Sequence, residues 1–208
     1  MIKNLLFDLG GVFIRLTREK SVRHFEALGI HDAEDMLDPY CQSGLFLDLE
    51  LGKYDAVTFA EKLSEVYQLD ISEGDVSRAL LDFVRDVHPY KFDFIANELP
   101  SDIRLFLISN TNDYVYRWAN TSDFLPNGRK LNSYFEKVYA SCRLGMCKPD
   151  IQLFQYIIAD AGIDPTETLF IDDGPNNVNI AKSMGFLTYC PENGEDWTPV
   201  LRKMLLEQ

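Results

Sequence analysis

Four short runs along the chain are apolar on both faces, and most of them end in polar turns. The runs span residues 2–7, 103–108, 168–171 and 186–190, and the first three lead into polar turns at residues 8–11, 109–112 and 172–174. Runs of this kind are typical of central parallel strands that helices cover on both sides. The pattern therefore predicts an α/β fold with a doubly wound parallel sheet.

The segments between the later runs have helical spacing. Pro149 suits the first position of a helix, and a second helix follows Gly174. The two apolar stripes consist of Ile151, Phe154, Ile158 and Ala161, ending at Gly162, and of Val178, Ala181 and Met184, ending at Gly185. In such sheets ligands bind beyond the carboxyl ends of the strands, which is where the three polar turns are expected.

Residues 16–88 differ from the rest, because they have helical periodicity and no convincing strand pattern. The periodic positions include Phe59, Leu63, Val66 and Tyr67, and then Val76, Leu80, Phe83 and Val84. We therefore predict an α/β core formed by residues 1–15 and 89–208, with a small inserted helical cap at residues 16–88. A helical insertion beside the active edge is well placed to act as a lid. The acidic run from Asp48 to Glu50 is expected in a cap loop that meets sugar hydroxyls.

The composition narrows the possible functions. The chain has 208 residues, of which 46% are hydrophobic, and a formal net charge of −13. Such a charge argues against a general binder of nucleic acid or of anionic membranes, since both need a basic face. It also means that a phosphate substrate must be attracted by a local cation, which is a first indication of a metal.

The remaining sequence features predict a soluble, cytoplasmic protein. No apolar stretch approaches the roughly 20 residues that span a membrane, and the first residues lack a signal-peptide pattern. The four cysteines are scattered at positions 41, 142, 147 and 190, which favours reduced thiols over a zinc site. We expect a monomer or a small homo-oligomer.

The polar turns gain meaning in combination. Alone, Asp8 suits a turn, Ser109 suits a helix cap and Lys148 suits a solvated surface. Together they form an ordered series: Asp after a strand, Ser after a strand, Lys-Pro, and Asp-Asp after a strand. The strings are FDLGGV (7–12), LISNTN (107–112), LGMCKPD (144–150) and FIDDGPNN (170–177).

This series resembles the four motifs of the haloacid dehalogenase-like (HAD) superfamily, and the resemblance covers essentially the whole chain. The helical segment falls where subfamilies of this group carry a helical cap. The chain looks most similar to the α-D-glucose-1-phosphate phosphatase-like subgroup. The resemblance implies a Rossmann-like core and a Mg²⁺-dependent phosphatase that acts on a sugar phosphate through an aspartyl-phosphate intermediate.

The chemistry of phosphate transfer agrees with those residue types. A phosphate dianion repels a carboxylate nucleophile, so its charge must first be neutralised, and Mg²⁺ does this with hard oxygen ligands. We expect Asp8 as nucleophile and metal ligand, and Asp173 as metal ligand. The resemblance implies that the Gly10 carbonyl is a third ligand. Asp172 is expected either to be an alternative ligand or to contact a ligand without binding the metal itself.

The phosphate itself needs groups that hold its oxygens. Lys148 would bind it and offset the repulsion among carboxylates, while the Ser109 hydroxyl and the Asn110 backbone N–H would bind at a helix start. Gly10 and Gly11 would let the chain pass close to it. Asn177 is expected to orient Asp173 or Lys148.

One position departs from the phosphatases of this superfamily, most of which carry a second Asp two residues after the nucleophile as general acid and base. Gly10 stands there. Such catalysis contributes about 10²–10⁴-fold. Three interpretations follow: a good leaving group such as an anomeric oxygen, which we favour; another group or a water in place of the acid; or a protein that binds phosphate and turns over poorly.

Two other functions therefore stay open beside the phosphatase. A hydrolytic dehalogenase would attack carbon with Asp8 and need no metal. The Asp172-Asp173 pair argues against it, because a metal-free site that attacks a neutral carbon gains nothing from extra carboxylates. A weakly catalytic phosphate-binding or regulatory protein is suggested by Gly10 alone.

Overall fold

The central sheet places the three polar turns at one edge. The computed structural model describes residues 1–38 and 42–206, so Cys41 lies outside the described residues. Within them five parallel strands form one sheet. In spatial order they are β5 (Lys137–Ala140), β4 (Arg104–Ser109), β1 (Asn4–Phe7), β6 (Thr168–Ile171) and β7 (Leu187–Tyr189). The predicted parallel sheet is confirmed, with the first three apolar runs as neighbours β4, β1 and β6.

Helices cover both faces of this sheet, as expected for a doubly wound fold. One face packs on α6 (Pro89–Asn97), α7 (Asp113–Ala119) and α11 (Thr198–Leu206), and the other on α9 (Ile151–Ala161) and α10 (Pro175–Ser183). Phe7, Phe13 and Trp197 form the aromatic centre of the first face, with ring centroids 5.2–5.4 Å apart. Phe154 and Phe170 pack edge to face on the second, at 5.5 Å. Short 3₁₀ turns lie at Leu131–Tyr134 and Pro165–Glu167, and α8 spans Ser141–Leu144.

Among the described residues, five helices lie between β1 and α6 and form a separate hydrophobic cluster. They are α1 (Arg18–Ala27), α2 (Ala33–Met36), α3 (Gly44–Glu50), α4 (Ala56–Tyr67) and α5 (Glu73–Leu81). Phe25, Phe46 and Phe59 pack edge to face at its centre. Tyr114 of α7 joins this cluster, and its hydroxyl donates a hydrogen bond to the Ala56 carbonyl. We keep the name cap for residues 16–88, and the division of the chain at these positions stays a prediction.

The expected absence of strands in residues 16–88 is wrong at both ends of the segment. Strands β2 (Ile14–Leu16) and β3 (Val84–Val87) pair antiparallel where the chain leaves and re-enters the core. Val84, expected on a helical stripe, therefore lies on a strand. The β-branched residues Val84 and Val87 gain partners across the ladder, which overrides the helical spacing that precedes them.

The start of α9 also differs from the expectation. Pro149 lies outside the helix, because Asp150 is the N-cap and its carboxylate accepts a hydrogen bond from Gln152 N at 2.9 Å. The buried stripe is consequently Leu153, Phe154 and Ile157, whereas Ile151 is 44% exposed. The expected end is confirmed, with Gly162 in the left-handed region at φ 60°.

No membrane crossing is found among the described helices, each of which is too short or too polar for one.

Candidate active site

Three strand ends and one loop bring the predicted residues together. Phe7 of β1 is in register with Leu107 of β4 and with Ile171 of β6. Asp8 follows Phe7 directly, Asp172 and Asp173 follow Ile171, and Ser109 ends β4. Parallel register therefore places these polar side chains at one edge of the sheet.

Lys148 enters this edge from the loop before α9 and contacts two carboxylates. Its ammonium nitrogen lies 2.9 Å from Asp8 Oδ1 and 2.6 Å from Asp172 Oδ2, and its side chain is only 1% exposed. Burial alone would lower the pKa of Lys148, but the negative charges of Asp172 and Asp8 raise it above its ordinary value. The lysine therefore stays charged and offsets part of the carboxylate repulsion.

The backbone of Lys148 is held by the side chain of Asn110. Asn110 Nδ2 donates to the Lys148 carbonyl at 2.9 Å, and Lys148 N donates to Asn110 Oδ1 at 2.8 Å. This two-point contact fixes the lysine loop against the end of β4. The sequence pattern predicts a function only for the backbone N–H of Asn110, and this contact of its side chain is an addition from the structure.

Asp172 is completely buried and fully engaged by donors. Its Oδ1 accepts hydrogen bonds from Gly174 N at 2.7 Å and from Asn177 Nδ2 at 2.9 Å, while Oδ2 faces Lys148. Asn177 thus orients Asp172. The sequence pattern predicts instead that it orients Asp173 or Lys148. Both oxygens of Asp172 are directed away from open space.

Asp173 lies directly against the Gly10-Gly11 turn. A Cβ built on Gly11 would lie 2.0 Å from Asp173 Oδ2, and Gly11 has φ 65°, so a side chain at position 11 would displace Asp173 and strain the backbone. Burial, and then the charge of Asp172, raise the pKa of Asp173 to about 6 against the opposing effect of Lys148. Burial likewise raises the pKa of Asp8, and Lys148 again opposes the shift.

A hard cation fits this donor set. Asp8, Asp172 and Asp173 offer carboxylate oxygens within 4.8 Å of one another, and no other such group of acidic, His or Cys side chains occurs among the described residues. Three carboxylates and one lysine leave net negative charge in a confined space. Oxygen ligands without His or Cys suit Mg²⁺ rather than zinc.

The Gly10 carbonyl retains capacity for a further ligand. It accepts a hydrogen bond from Val12 N at 2.7 Å, and a carbonyl oxygen has a second lone pair. The turn that carries it is also held by the loop before α11, where Gly194 N donates to the Gly11 carbonyl at 2.7 Å.

Two side chains that sequence reasoning missed also hold this turn. Lys91 is fully buried, and its ammonium group donates to the carbonyls of Val12 and Glu195, both at 2.6 Å. Trp197 Nε1 also donates to the Val12 carbonyl, at 2.8 Å. The available signal was the position of Lys91 between aromatic neighbours in PYKFDF, which is unusual for a solvated lysine.

Ser109 ends β4 and Asn110 follows it, so both precede α7 and neither lies in its first turn. Asn112 is the N-cap of that helix, and its Oδ1 accepts a hydrogen bond from Val115 N at 3.1 Å. The Ser109 hydroxyl is buried and has only a long 3.5 Å contact with the Asn110 carbonyl, which leaves it available to a ligand.

A pocket opens from these residues toward the cap. Its inner part is lined by Asp8, Gly10, Leu16, Gln42, Glu50, Asn110, Lys148, Asp173 and Asn177. The adjoining outer part encloses about 670 Å³, partly open to solvent, and has a mainly apolar wall that includes Leu37, Phe46, Leu49, Leu80 and Phe83. Gly10, Leu16, Gln42, Glu50 and Asn110 border both parts.

Asp48 and Glu50 lie on helix α3, whereas the sequence pattern predicts a loop at this position. Asp48 forms a surface ion pair with Lys53 at 2.6 Å, whereas Glu50 lines the pocket. Burial raises the pKa of Glu50 to about 8, with the charge of Lys148 opposing the shift.

The sequence of the chain matches the family model of haloacid dehalogenase-like hydrolases over residues 2–185. D-ribitol-5-phosphate phosphatase of Bacteroides thetaiotaomicron is 40% identical over 205 residues, which is 99% of each chain.

Solved structures give the same result. A HAD-like family hydrolase from Porphyromonas gingivalis is 51% identical, with a TM-score of 0.94 over 100% of both chains. A HAD family enzyme from B. thetaiotaomicron, in complex with magnesium and inorganic phosphate, is 36% identical with a TM-score of 0.86 over 97% of this chain and 100% of that one. The chain belongs to the haloacid dehalogenase-like hydrolase family.

Proposed function

We propose that this protein is a Mg²⁺-dependent phosphatase that hydrolyses a phosphorylated sugar or sugar alcohol through a phospho-Asp8 intermediate. The contact of Lys148 with both Asp8 and Asp172, beside the exposed edge of Asp173, carries the proposal. It combines a carboxylate nucleophile, a fixed cation and a cation-binding oxygen cluster in one pocket. The phosphatase relative and the magnesium–phosphate complex support it.

The metal would be held by Asp8, Asp173 and the Gly10 carbonyl. When bound, Mg²⁺ supplies positive charge that neutralises the phosphate oxygens, so that a carboxylate can approach phosphorus. Asp172 does not face open space, and its three donors suit it to position Lys148 and the β6 turn. We therefore assign Asp172 to support and Asp173 to direct binding.

The protein side chains divide the phosphoryl transfer among them. An Asp8 oxygen attacks phosphorus, the bond to the leaving oxygen breaks, and that oxygen takes up a proton to depart as an alcohol. Lys148 holds a phosphate oxygen against Asp8, and the Ser109 hydroxyl with the Asn110 N–H holds others. Water then attacks the phosphorus of phospho-Asp8, which releases inorganic phosphate and restores the carboxylate.

The relative's name bears on the substrate class. Ribitol 5-phosphate is an acyclic sugar alcohol whose phosphate is bonded to a primary carbon. A primary alkoxide leaves poorly, so this likeness favours a substrate that needs a proton donor. The expected anomeric phosphate, with its better leaving group, stays a prediction.

The cellular setting is part of the proposal. None of the three described cysteines forms a disulfide, which suits a reducing compartment such as the cytoplasm. A monomer or small homo-oligomer, without a nucleic-acid or membrane partner, stays the expectation from sequence.

Hydrolysis in ¹⁸O-labelled water tests the function and separates it from dehalogenation. With p-nitrophenyl phosphate and Mg²⁺, we expect turnover that a chelator abolishes, with ¹⁸O found in inorganic phosphate because water attacks phosphorus. A dehalogenase forms a carbon ester on Asp8, and water attack on its carbonyl would leave ¹⁸O in Asp8. Chelator-resistant turnover of the phosphate, or no turnover at all, would refute the proposal.

A further inference from the structure

We propose that Glu50, supplied by helix α3 of the cap, is the general acid that protonates the leaving oxygen and the general base of the second step. This inference rests on the proposed phosphatase function. It identifies the group that replaces the carboxylate absent at position 10.

Position 10 is a glycine, and Leu16 borders the space beside it. A Cβ built on Gly10 would lie 2.9 Å from Leu16 Cδ1 and 3.7 Å from Leu16 Cγ. Leu16, on strand β2, fills the space that a longer side chain at position 10 would enter. Position 10 therefore supplies no acid, and a proton donor must reach the pocket from another element.

Among the described residues, the inner pocket is lined by three carboxylic acids: Asp8, Asp173 and Glu50. Asp8 is assigned to attack and Asp173 to the cation, which leaves Glu50. It lies on the cap side of the pocket, where the departing part of the substrate must extend. None of the three histidines lines either part of the pocket.

The end of α3 is docked on the core close to Lys148. A Cβ on Gly52, two residues after Glu50, would lie 2.1 Å from the Cys142 carbonyl, and Gly52 has φ 69°. The Glu50 carbonyl is 4.0 Å from Cys147 Sγ, one residue before Lys148. This close backbone approach fixes Glu50 relative to the lysine, as a proton donor requires.

The surroundings of Glu50 favour its protonated form. Phe46 and Leu49 of the same helix form part of the apolar wall beside it, and burial raises the pKa of Glu50. The carboxyl group of Glu50 makes no hydrogen bond with any residue that the structure describes, so its proton is available to a substrate. The positive charge of Lys148 opposes this shift of the Glu50 pKa.

The proton balance of the two steps is complete. In the first, the Asp8–phosphorus bond forms, the phosphorus–oxygen bond to the substrate breaks, and the Glu50 proton passes to the leaving oxygen to give an alcohol. In the second step, the Glu50 carboxylate takes a proton from a water molecule while the oxygen of that water attacks phosphorus. The bond between phosphorus and Asp8 then breaks, and Glu50 is again protonated.

A leaving-group comparison tests the assignment with Glu50→Gln, which keeps the shape of the side chain. The value of kcat/KM reports steps only up to phosphorylation of Asp8. For a primary alkyl phosphate we expect it to fall by about 10²-fold or more, and for p-nitrophenyl phosphate by less than about 5-fold, because nitrophenolate leaves without a proton. Asp48→Asn, on the same helix but outside the pocket, is the matched control and should change neither.

Rapid-mixing kinetics give a second readout that a structural role would not produce. Glu50→Gln should release one equivalent of nitrophenol in a fast burst and then slow by about 10²-fold, since water attack on phospho-Asp8 has lost its base. Equal losses of kcat/KM for both substrates, a rise in KM alone, or no burst would overturn the role of Glu50. If the wild-type protein cleaves p-nitrophenyl phosphate without Mg²⁺ or not at all, the proposed function fails, and this inference with it.

Discussion

The carboxylate of Asp173 occupies the space that a side chain at Gly11 would need. The distance from a Cβ at position 11 to Asp173 Oδ2 would be 2.0 Å. Two motifs that are 162 positions apart in sequence are therefore fitted to each other at the atomic level. The glycine sets where the carboxylate lies relative to Asp8, and so sets the spacing of the proposed metal ligands.

Gly11→Ala should weaken Mg²⁺ binding by about 10-fold or more, because Asp173 must move away from the new methyl group. Calorimetric titration with Mg²⁺ measures this. Gly162→Ala is the matched control: Gly162 has φ 60° but no atom within 4 Å of its Cβ position. It should cost about 1 kcal/mol of backbone strain and leave Mg²⁺ affinity unchanged. Equal Mg²⁺ affinity in the two variants would contradict the spacing argument.

The two adjacent aspartates should respond differently to amide substitution. Asp173→Asn is expected to reduce Mg²⁺ affinity and activity together, and added Mg²⁺ should partly restore the rate. Asp172→Asn removes one of the two charged partners of Lys148 and should lower kcat while Mg²⁺ affinity stays within about 3-fold, an order-of-magnitude expectation for a group that only supports the ligands. If Asp172→Asn loses Mg²⁺ as completely as Asp173→Asn, then Asp172 is a direct ligand.

Lys91 should make the stability of the protein depend on pH. Burial lowers its pKa from 10.5 to about 8, so between these values the unfolded chain binds a proton that the folded chain does not. The free energy of unfolding should therefore rise with pH across this window, by at most about 1.4 kcal/mol per pH unit.

The substitution Lys91→Met removes this titration and both carbonyl contacts. Urea denaturation at pH 7.5 and pH 10 should show the wild type gaining stability relative to Lys91→Met as the pH rises. At pH 7.5 the variant's loss of two hydrogen bonds costs about 1–3 kcal/mol, less the cost of the buried charge that it removes. Lys3→Met is the control, since the ammonium group of Lys3 lies at the surface in an exposed ion pair with Glu167. A pH response shared by both variants would show that Lys91 is not its source.

Much of the fold followed from local patterns, because central parallel strands are apolar on both faces and their ends carry polar turns. The strands at the site, the left-handed end of α9 at Gly162 and the meeting of Asp8 with Asp173 are all local or topological consequences of that pattern. The β2–β3 pair escaped because its partners are about 70 residues apart and each strand is too short to show a period.

The support of the site was less accessible from sequence for the same reason. Asn110 holds Lys148, Asn177 holds Asp172, and Lys91 holds Val12 through contacts that no spacing rule encodes. The pocket position of Glu50 is not predictable in the same way, since a sequence does not show which face of α3 turns inward. Such contacts depend on tertiary packing.

The most direct test of the central claim is to trap the phosphoryl group on Asp8. The wild-type protein is mixed with p-nitrophenyl phosphate and Mg²⁺, quenched in acid within the first turnover, digested and analysed by mass spectrometry. The account predicts a phosphoryl group on the Asp8 carboxylate that is absent with a chelator and absent in Asp8→Asn, which should fold normally and not turn over. A phosphoryl group on another residue, or undiminished turnover by Asp8→Asn, would contradict it.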